Sequence, residues 1–207
     1  MNIQTIEVES PFRVRVQHRF HYHDPASDKL LIILPGRGYT VNHPVLFHLT
    51  YVALQNGFDV LPVQYGFQIS GSLEPQQIPL LQEDVRLATE PVLKRGYREI
   101  CIAGKSLGSP LALDLAQTLD VDALSLILLT PVGAAMQANT GTRTLSIIGT
   151  ADALYSADVV RVTDGKVTWR VFENLTHSLI DENDWRHSMR ALEEILEDCE
   201  MFLRGEL

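Results

Sequence analysis

A serine between two glycines stands where a short apolar run passes into a helical pattern. Cys101-Ile102-Ala103 leads into Gly104-Lys105-Ser106-Leu107-Gly108, and the residues that follow, as far as Gln117, keep helical spacing. The five residues fit G-x-S-x-G, in which a strained strand-to-helix turn lifts a serine hydroxyl clear of a sheet. Small residues two positions to either side let strand and helix approach each other. In such a turn the backbone N–H of the next residue, Leu107, points toward the oxygen of a bound carbonyl. The pattern is short enough to arise by chance, so the flanking strand and helix carry the argument. A turn serine without chemistry is the alternative.

A serine hydroxyl attacks a carbonyl only when a base takes its proton, and the base needs an acid to orient it. Of the seven histidines, His18, His21 and His23 fall in an N-terminal segment of edge-strand character, His43 and His48 at or near a helix start, and His187 on the last helix. His177 differs. It lies in Asn174-Leu175-Thr176-His177-Ser178-Leu179, just after the last strand run, and so falls on the same rim as Ser106. Asp152 occupies the matching place after another run, in Ile148-Gly149-Thr150-Ala151-Asp152. Asp158 and Glu173 are its rivals, but Asp158 reads as beginning or entering a helix, and a helix N-cap is the alternative role for either aspartate. Asp152 is preferred.

Three such residues share a rim only if the strands before them run side by side in one direction. The runs Leu30–Leu34, Phe58–Val63, Ile100–Ala103, Leu124–Leu129 and Leu145–Ile148 are continuous rather than alternating, as strands buried on both faces are. Helical patterns over about 43–56, 77–95, 107–119 and 184–203 lie between and after them. The expected fold is therefore α/β: a mostly parallel twisted sheet with helices on both faces. Ile3 to His23 reads differently, because Phe12 to Gln17 alternate apolar and polar, the mark of an antiparallel ribbon at the sheet edge. Thr163-Asp164-Gly165-Lys166 signals a turn before a late strand, Val167 to Phe172. In the last helix Trp185, Met189, Leu192, Ile195, Leu196, Cys199 and Leu203 form the stripe expected to pack on the sheet. No repeat or linker interrupts the chain, so 1–207 is read as a single domain.

Composition excludes several classes of function. A net charge of −9 with no basic run argues against a nucleic-acid partner. The first residues lack the basic start and apolar stretch of a signal peptide, and the apolar runs are too short to cross a bilayer. A cytoplasmic protein with no membrane partner is expected. Cys101 and Cys199 read as two buried thiols rather than a disulfide. His18, His21 and His23 are weighed as metal ligands and set aside. Only Asp24 accompanies them, and a solvated edge strand accounts for them better. Neither metal nor cofactor is called for.

Serine, aspartate and histidine in that chain order, each after a strand, make the chain resemble the α/β-hydrolase-fold family over nearly its whole length. The Gly-Thr-Ala-Asp and Thr-His-Ser-Leu contexts are similar to those of its small, cap-less, esterase-like members. The resemblance implies a sheet of about eight strands with the second antiparallel. It also implies an oxyanion loop after the third strand, often H-G-x-G. Here Leu34-Pro35-Gly36-Arg37-Gly38-Tyr39 puts a proline in the histidine's place, and by position the N–H of Arg37 joins that of Leu107. Many relatives insert a cap after the sixth strand, but Pro131 to Arg143 is too short for one and leaves little room for the usual helix. An open site rimmed by Tyr39, Tyr65, Phe67 and Met136 follows. The implied activity is hydrolysis of a small carboxylic ester or thioester through Ser106, His177 and Asp152, by way of an acyl-enzyme. A non-catalytic small-ligand-binding protein on the same fold is the alternative. Arg37 and Lys105 are the cations that would favour a negatively charged substrate, although Lys105 has a second reading as a contact to neighbouring backbone.

Overall fold

The apolar runs form the inner strands of a sheet, and the helical patterns form the layers that cover it. In the computed structural model, which describes residues 1–136, 141–162 and 167–207, the chain opens with β1 (Asn2–Ser10), β2 (Val14–Tyr22) and β3 (Lys29–Leu34). Then come α1 (Pro44–Gln55), β4 (Asp59–Pro62), α2 (Phe67–Ser70), α3 (Leu80–Leu93), β5 (Glu99–Lys105) and α4 (Gly108–Ala116). The remainder is β6 (Ala123–Leu129), β7 (Arg143–Gly149), α5 (Ala157–Val162), β8 (Val167–Phe172) and α6 (Trp185–Arg204). Among the described residues these strands make one eight-stranded sheet in the order β1-β2-β4-β3-β5-β6-β7-β8. β2 runs antiparallel to both its neighbours, and from β4 to β8 all pairings are parallel.

Alternate residues of the inner strands serve two cores, which is why their sequences show no alternation. Leu30, Ile32 and Leu34 of β3 join Ile100 and Ile102 of β5 in a cluster with Val85 of α3 and Leu111 of α4. Leu31, Ile33, Cys101 and Ala103 face the other way, toward Leu46 and Leu49 of α1 and Ile195 and Phe202 of α6. Each large aliphatic side chain buried this way contributes about 1.5–3 kcal/mol. The layers fix the direction of the strands, and with it the rim on which their carboxyl ends emerge. Among the described residues no helix is long and apolar enough to cross a membrane.

The ribbon of β1 and β2 pairs from Asn2↔Tyr22 to Ser10↔Val14 and meets β4 at His21↔Val60. It is less solvated than its sequence suggests. Val16, His18, Phe20 and His21 are buried, while Arg15, Gln17 and Arg19 are exposed. Burial lowers His18 to about 4, and burial, with Arg19 as a lesser cause, lowers His21. His18 Nδ1 accepts the Gln64 N–H at 3.2 Å, and His23 Nδ1 lies 3.0 Å from Asp59 Oδ1. Among the described residues no group of three or more His, Cys, Asp or Glu is arranged to hold a metal ion.

α6 departs from its expected face. Ile195, Cys199 and Leu203 of the expected stripe are buried and Leu192 and Leu196 are partly so, but the buried face extends to Ala191 and Phe202, whereas Trp185 and Met189 are 66% and 57% exposed. At about 100° per residue the two stripes differ by roughly a quarter turn. The buried face also takes in Asp198, which pairs with Arg170 of β8 at 2.8 Å. The short helices α2 and α5 have no counterpart in the sequence pattern, and 77–95 resolves into a 3₁₀ turn at Pro75–Gln77 followed by α3. The described part of the span after β6 holds one 3₁₀ turn, Gly133–Met136. Residues 137–140, and the turn expected at Thr163 to Lys166, lie outside the described residues.

Candidate active site

At the end of β5 the chain turns sharply into α4, and Ser106 sits in the turn at φ +50°, a left-handed conformation uncommon for a residue with a side chain. Its N–H donates to the carbonyl of Leu129 at the tip of β6 (2.9 Å), and its own carbonyl accepts the Ser109 N–H (2.8 Å) and Oγ–H (2.6 Å). Strand and helix meet too closely here for side chains. A Cβ added at Gly104 would lie 2.5 Å from the Gly108 carbonyl oxygen, and one at Gly108 would come closer still to that of Leu34. Because both neighbours are backbone, neither can move aside. Gly108→Ala is therefore expected to destabilise the protein by on the order of 3 kcal/mol or more in a denaturant melt. A change below about 1 kcal/mol would contradict the close packing of the elbow.

Asp152 and His177 approach from the loops after β7 and β8. The Ala151 N–H donates to the Leu175 carbonyl at 3.1 Å, which ties the two loops together. His177 lies in a compact turn closed by Thr176 N–H to Ile180 O (2.9 Å) and Leu179 N–H to Thr176 O (2.8 Å). The imidazole Nδ1 lies 2.7 Å from Asp152 Oδ2, and Nε2 lies 2.7 Å from Ser106 Oγ. A carboxylate can only accept, so the proton belongs on Nδ1 and Nε2 is left to accept from the serine hydroxyl. Asp152 is buried, and its second oxygen accepts the Leu154 N–H at 2.9 Å. The His177 side chain is 40% exposed. Asp158 and Glu173 are both exposed, Asp158 in the first turn of α5.

The loop after β3 lies against the elbow. A Cβ added at Gly36 would come 3.4 Å from Ser106 Cβ. Gly36 donates to the Tyr39 carbonyl at 2.9 Å, and its own carbonyl accepts from Gln68 Nε2 at 3.1 Å. Among the described residues, the backbone N–H groups of Arg37 and Leu107 donate to no acceptor. The two unengaged donors belong to the residue after Ser106 and to the residue after Gly36, and the Ser106 hydroxyl is aligned with an imidazole and a buried carboxylate. Such a constellation can abstract the serine proton and accept developing negative charge.

The expected rim needs correction. Tyr39 is half-buried, but Tyr65 and Phe67 belong to the core, and Met136 is almost fully covered. The Tyr65 hydroxyl donates to the Pro35 carbonyl at 3.2 Å, and its ring stacks on Phe67 at 5.7 Å between centroids. These aromatics support the loop from beneath instead of lining the opening. Of the two readings of Lys105, the structure has the contact to backbone: it is 1% exposed, and Nζ bonds to Thr130 Oγ1 and to the His177 carbonyl (2.6 Å). Arg37 is exposed, with Nη2 donating to the Leu73 carbonyl at 2.9 Å. Thr130 is a residue that the sequence reading misses. Its signal is a lone polar residue between the β6 run and Pro131, and it adopts φ +43°.

The sequence matches no protein-family model and no curated protein. Solved structures are similar in fold. A protein of unknown function from Agrobacterium tumefaciens, described as an α/β hydrolase, superposes with a TM-score of 0.74 at 19% identity, covering 99% of this chain and 98% of that one. A serine hydrolase without a lid from Xanthomonas campestris gives 0.69 at 16% identity, with 100% and 96% covered. A dienelactone hydrolase from Anabaena variabilis gives 0.72 at 15% identity, with 100% and 98% covered.

Proposed function

We propose that this chain, which carries the α/β-hydrolase fold, is a serine hydrolase that cleaves a small carboxylic ester or thioester. The observation that carries the reading is the unbroken line from Ser106 Oγ through His177 to Asp152, each step 2.7 Å, on one rim of the sheet. The lidless serine hydrolase and the dienelactone hydrolase that share the fold support it at the level of reaction type.

In this reading Ser106 Oγ bonds to the substrate carbonyl carbon while its proton passes to His177 Nε2. The carbonyl π electrons move to oxygen, where the N–H groups of Leu107 and Arg37 hold the charge. One such donor is worth roughly 10²–10³ in rate. The imidazolium, stabilised by the Asp152 carboxylate, then gives its proton to the leaving oxygen or sulfur as that bond to carbon breaks. An acyl group remains on Ser106. Water next attacks the acyl carbon, gives its proton to Nε2, and the Ser106 oxygen leaves and recovers that proton. Each turnover consumes one water and leaves the protein unchanged.

The span from Pro131 to Arg143 is too short for a cap, and in this reading the site over Ser106 is open. Esters with acyl chains of roughly two to six carbons are expected to be the better substrates, because each further methylene gains its ~0.8 kcal/mol only where a wall buries it. A series of p-nitrophenyl esters tests both the activity and its range. kcat/KM should peak among the short chains. A value that climbs steadily to the twelve-carbon ester contradicts the open site, and no turnover of any member contradicts the hydrolase.

A further inference from the structure

Lysine is rarely buried without a carboxylate partner, because removing an ammonium ion from water costs several kcal/mol. Lys105 is 1% exposed, and among the described residues its hydrogen-bond acceptors are neutral: Thr130 Oγ1 and the backbone carbonyl of His177 at 2.6 Å. The Tyr39 ring centroid lies 5.0 Å from Nζ, and the Asp152 charge acts on the ammonium through space. Thr130 Oγ1 itself lies 3.3 Å from the same His177 carbonyl. An apolar residue of similar volume would fill this site at lower cost. The bond to His177 is therefore the feature to explain.

We propose that Lys105 is a positioning residue of the site: its buried ammonium ion holds the His177 main chain from beneath and so keeps the imidazole in line between Asp152 and Ser106. The inference rests on the serine chemistry proposed above. His177 comes from the loop after β8, whereas Ser106 follows β5, with β6 and β7 between them. Lys105 is the last residue of β5 and the direct neighbour of Ser106, and Thr130 stands at the tip of β6. Through them the main chain of the base is referenced to the strand that carries the nucleophile, beyond the hold of its own turn, the Ala151–Leu175 bond and Asp152. A displacement near 1 Å in such an alignment costs about 10²-fold in rate.

The hold has a pH limit. Burial lowers Lys105 to about 8, opposed by the Asp152 charge. Above that pH the cation becomes an amine and the charge-assisted bond to the carbonyl weakens. The titratable groups facing Nζ among the described residues are Asp152 from the loop after β7, His177 after β8 and Tyr39 after β3. Burial raises Tyr39, so it does not ionise in the same range.

The rate at which a fluorophosphonate labels the active serine, measured from pH 6 to 10 alongside thermal melts, tests this without knowledge of the substrate. The parent rate should fall with a midpoint near 8. Lys105→Met should label about 10²-fold more slowly below that pH and show no falling limb. Thr130→Val removes a neutral acceptor from the ammonium, disfavours its charged form, and should move the falling limb to lower pH. A parent rate that stays level from pH 8 to 10, or a folded Lys105→Met protein labelled as fast as the parent, overturns the inference alone. If Lys105→Met fails to fold, an unmoved limb in Thr130→Val overturns it. A parent that takes no label sinks the serine reading and this inference with it.

Discussion

Ser106→Ala is expected to lower ester hydrolysis by on the order of 10⁴-fold or more, with the circular dichroism spectrum of the parent retained. The size follows from the site acting as a unit. In the proposed mechanism every proton that His177 moves, with Asp152 behind it, belongs to the making or breaking of the bond to Ser106 Oγ, so removing that oxygen idles both. Stability should change by about 1 kcal/mol at most, the worth of one half-exposed hydrogen bond. The backbone strain at φ +50° is the same for alanine as for serine, so the elbow has no new reason to rearrange. A folded variant that still turns over esters at the parent rate ends the assignment of the nucleophile.

The second large effect separates Asp152 from its neighbours. Asp152→Asn should cut kcat by about 10⁴-fold with little loss of stability, the size of effect that an amide in place of the aspartate has in serine-protease triads. An asparagine can offer its NH₂ group toward Nδ1, which favours the tautomer with the proton on Nε2, and that nitrogen then has no lone pair for the serine proton. Asp158→Asn and Glu173→Gln should each cost less than about tenfold, because both side chains are exposed and the imidazole's carboxylate partner is Asp152. Steady-state kinetics on the three variants decide the matter. A crippled Asp158→Asn beside an active Asp152→Asn would move the acid without disturbing Ser106 or His177.

What the sequence makes legible is local, and what it hides is made across the fold. The elbow is legible because Gly104, Ser106 and Gly108 are nearly contiguous and the close approach they permit is a backbone requirement. Asp152 and His177 stand out because each closely follows a strand run, and parallel strands deliver such residues to one rim. Tyr65 and Phe67 look like rim aromatics by the same logic. They turn inward because the chain after β4 doubles back against Phe12, Leu73 and the rest of that core. In α6 the expected and buried stripes share Ile195, Cys199 and Leu203, and a small residue, Ala191, marks the rest of the buried face less loudly than the exposed Trp185 and Met189 suggest the other. The contact of Lys105 with Thr130 and His177 joins positions 25 and 72 residues apart, and no spacing rule reaches that far.

The central claim is that Ser106 is an activated nucleophile, and peptide mass spectrometry after brief exposure to a fluorophosphonate tests it most directly. Ser106 is the residue expected to carry the phosphonyl adduct. That adduct should be absent from Ser106→Ala and form far more slowly in Asp152→Asn. An unmodified Ser106 in the folded parent, or an adduct of equal yield elsewhere on the chain, would contradict the account.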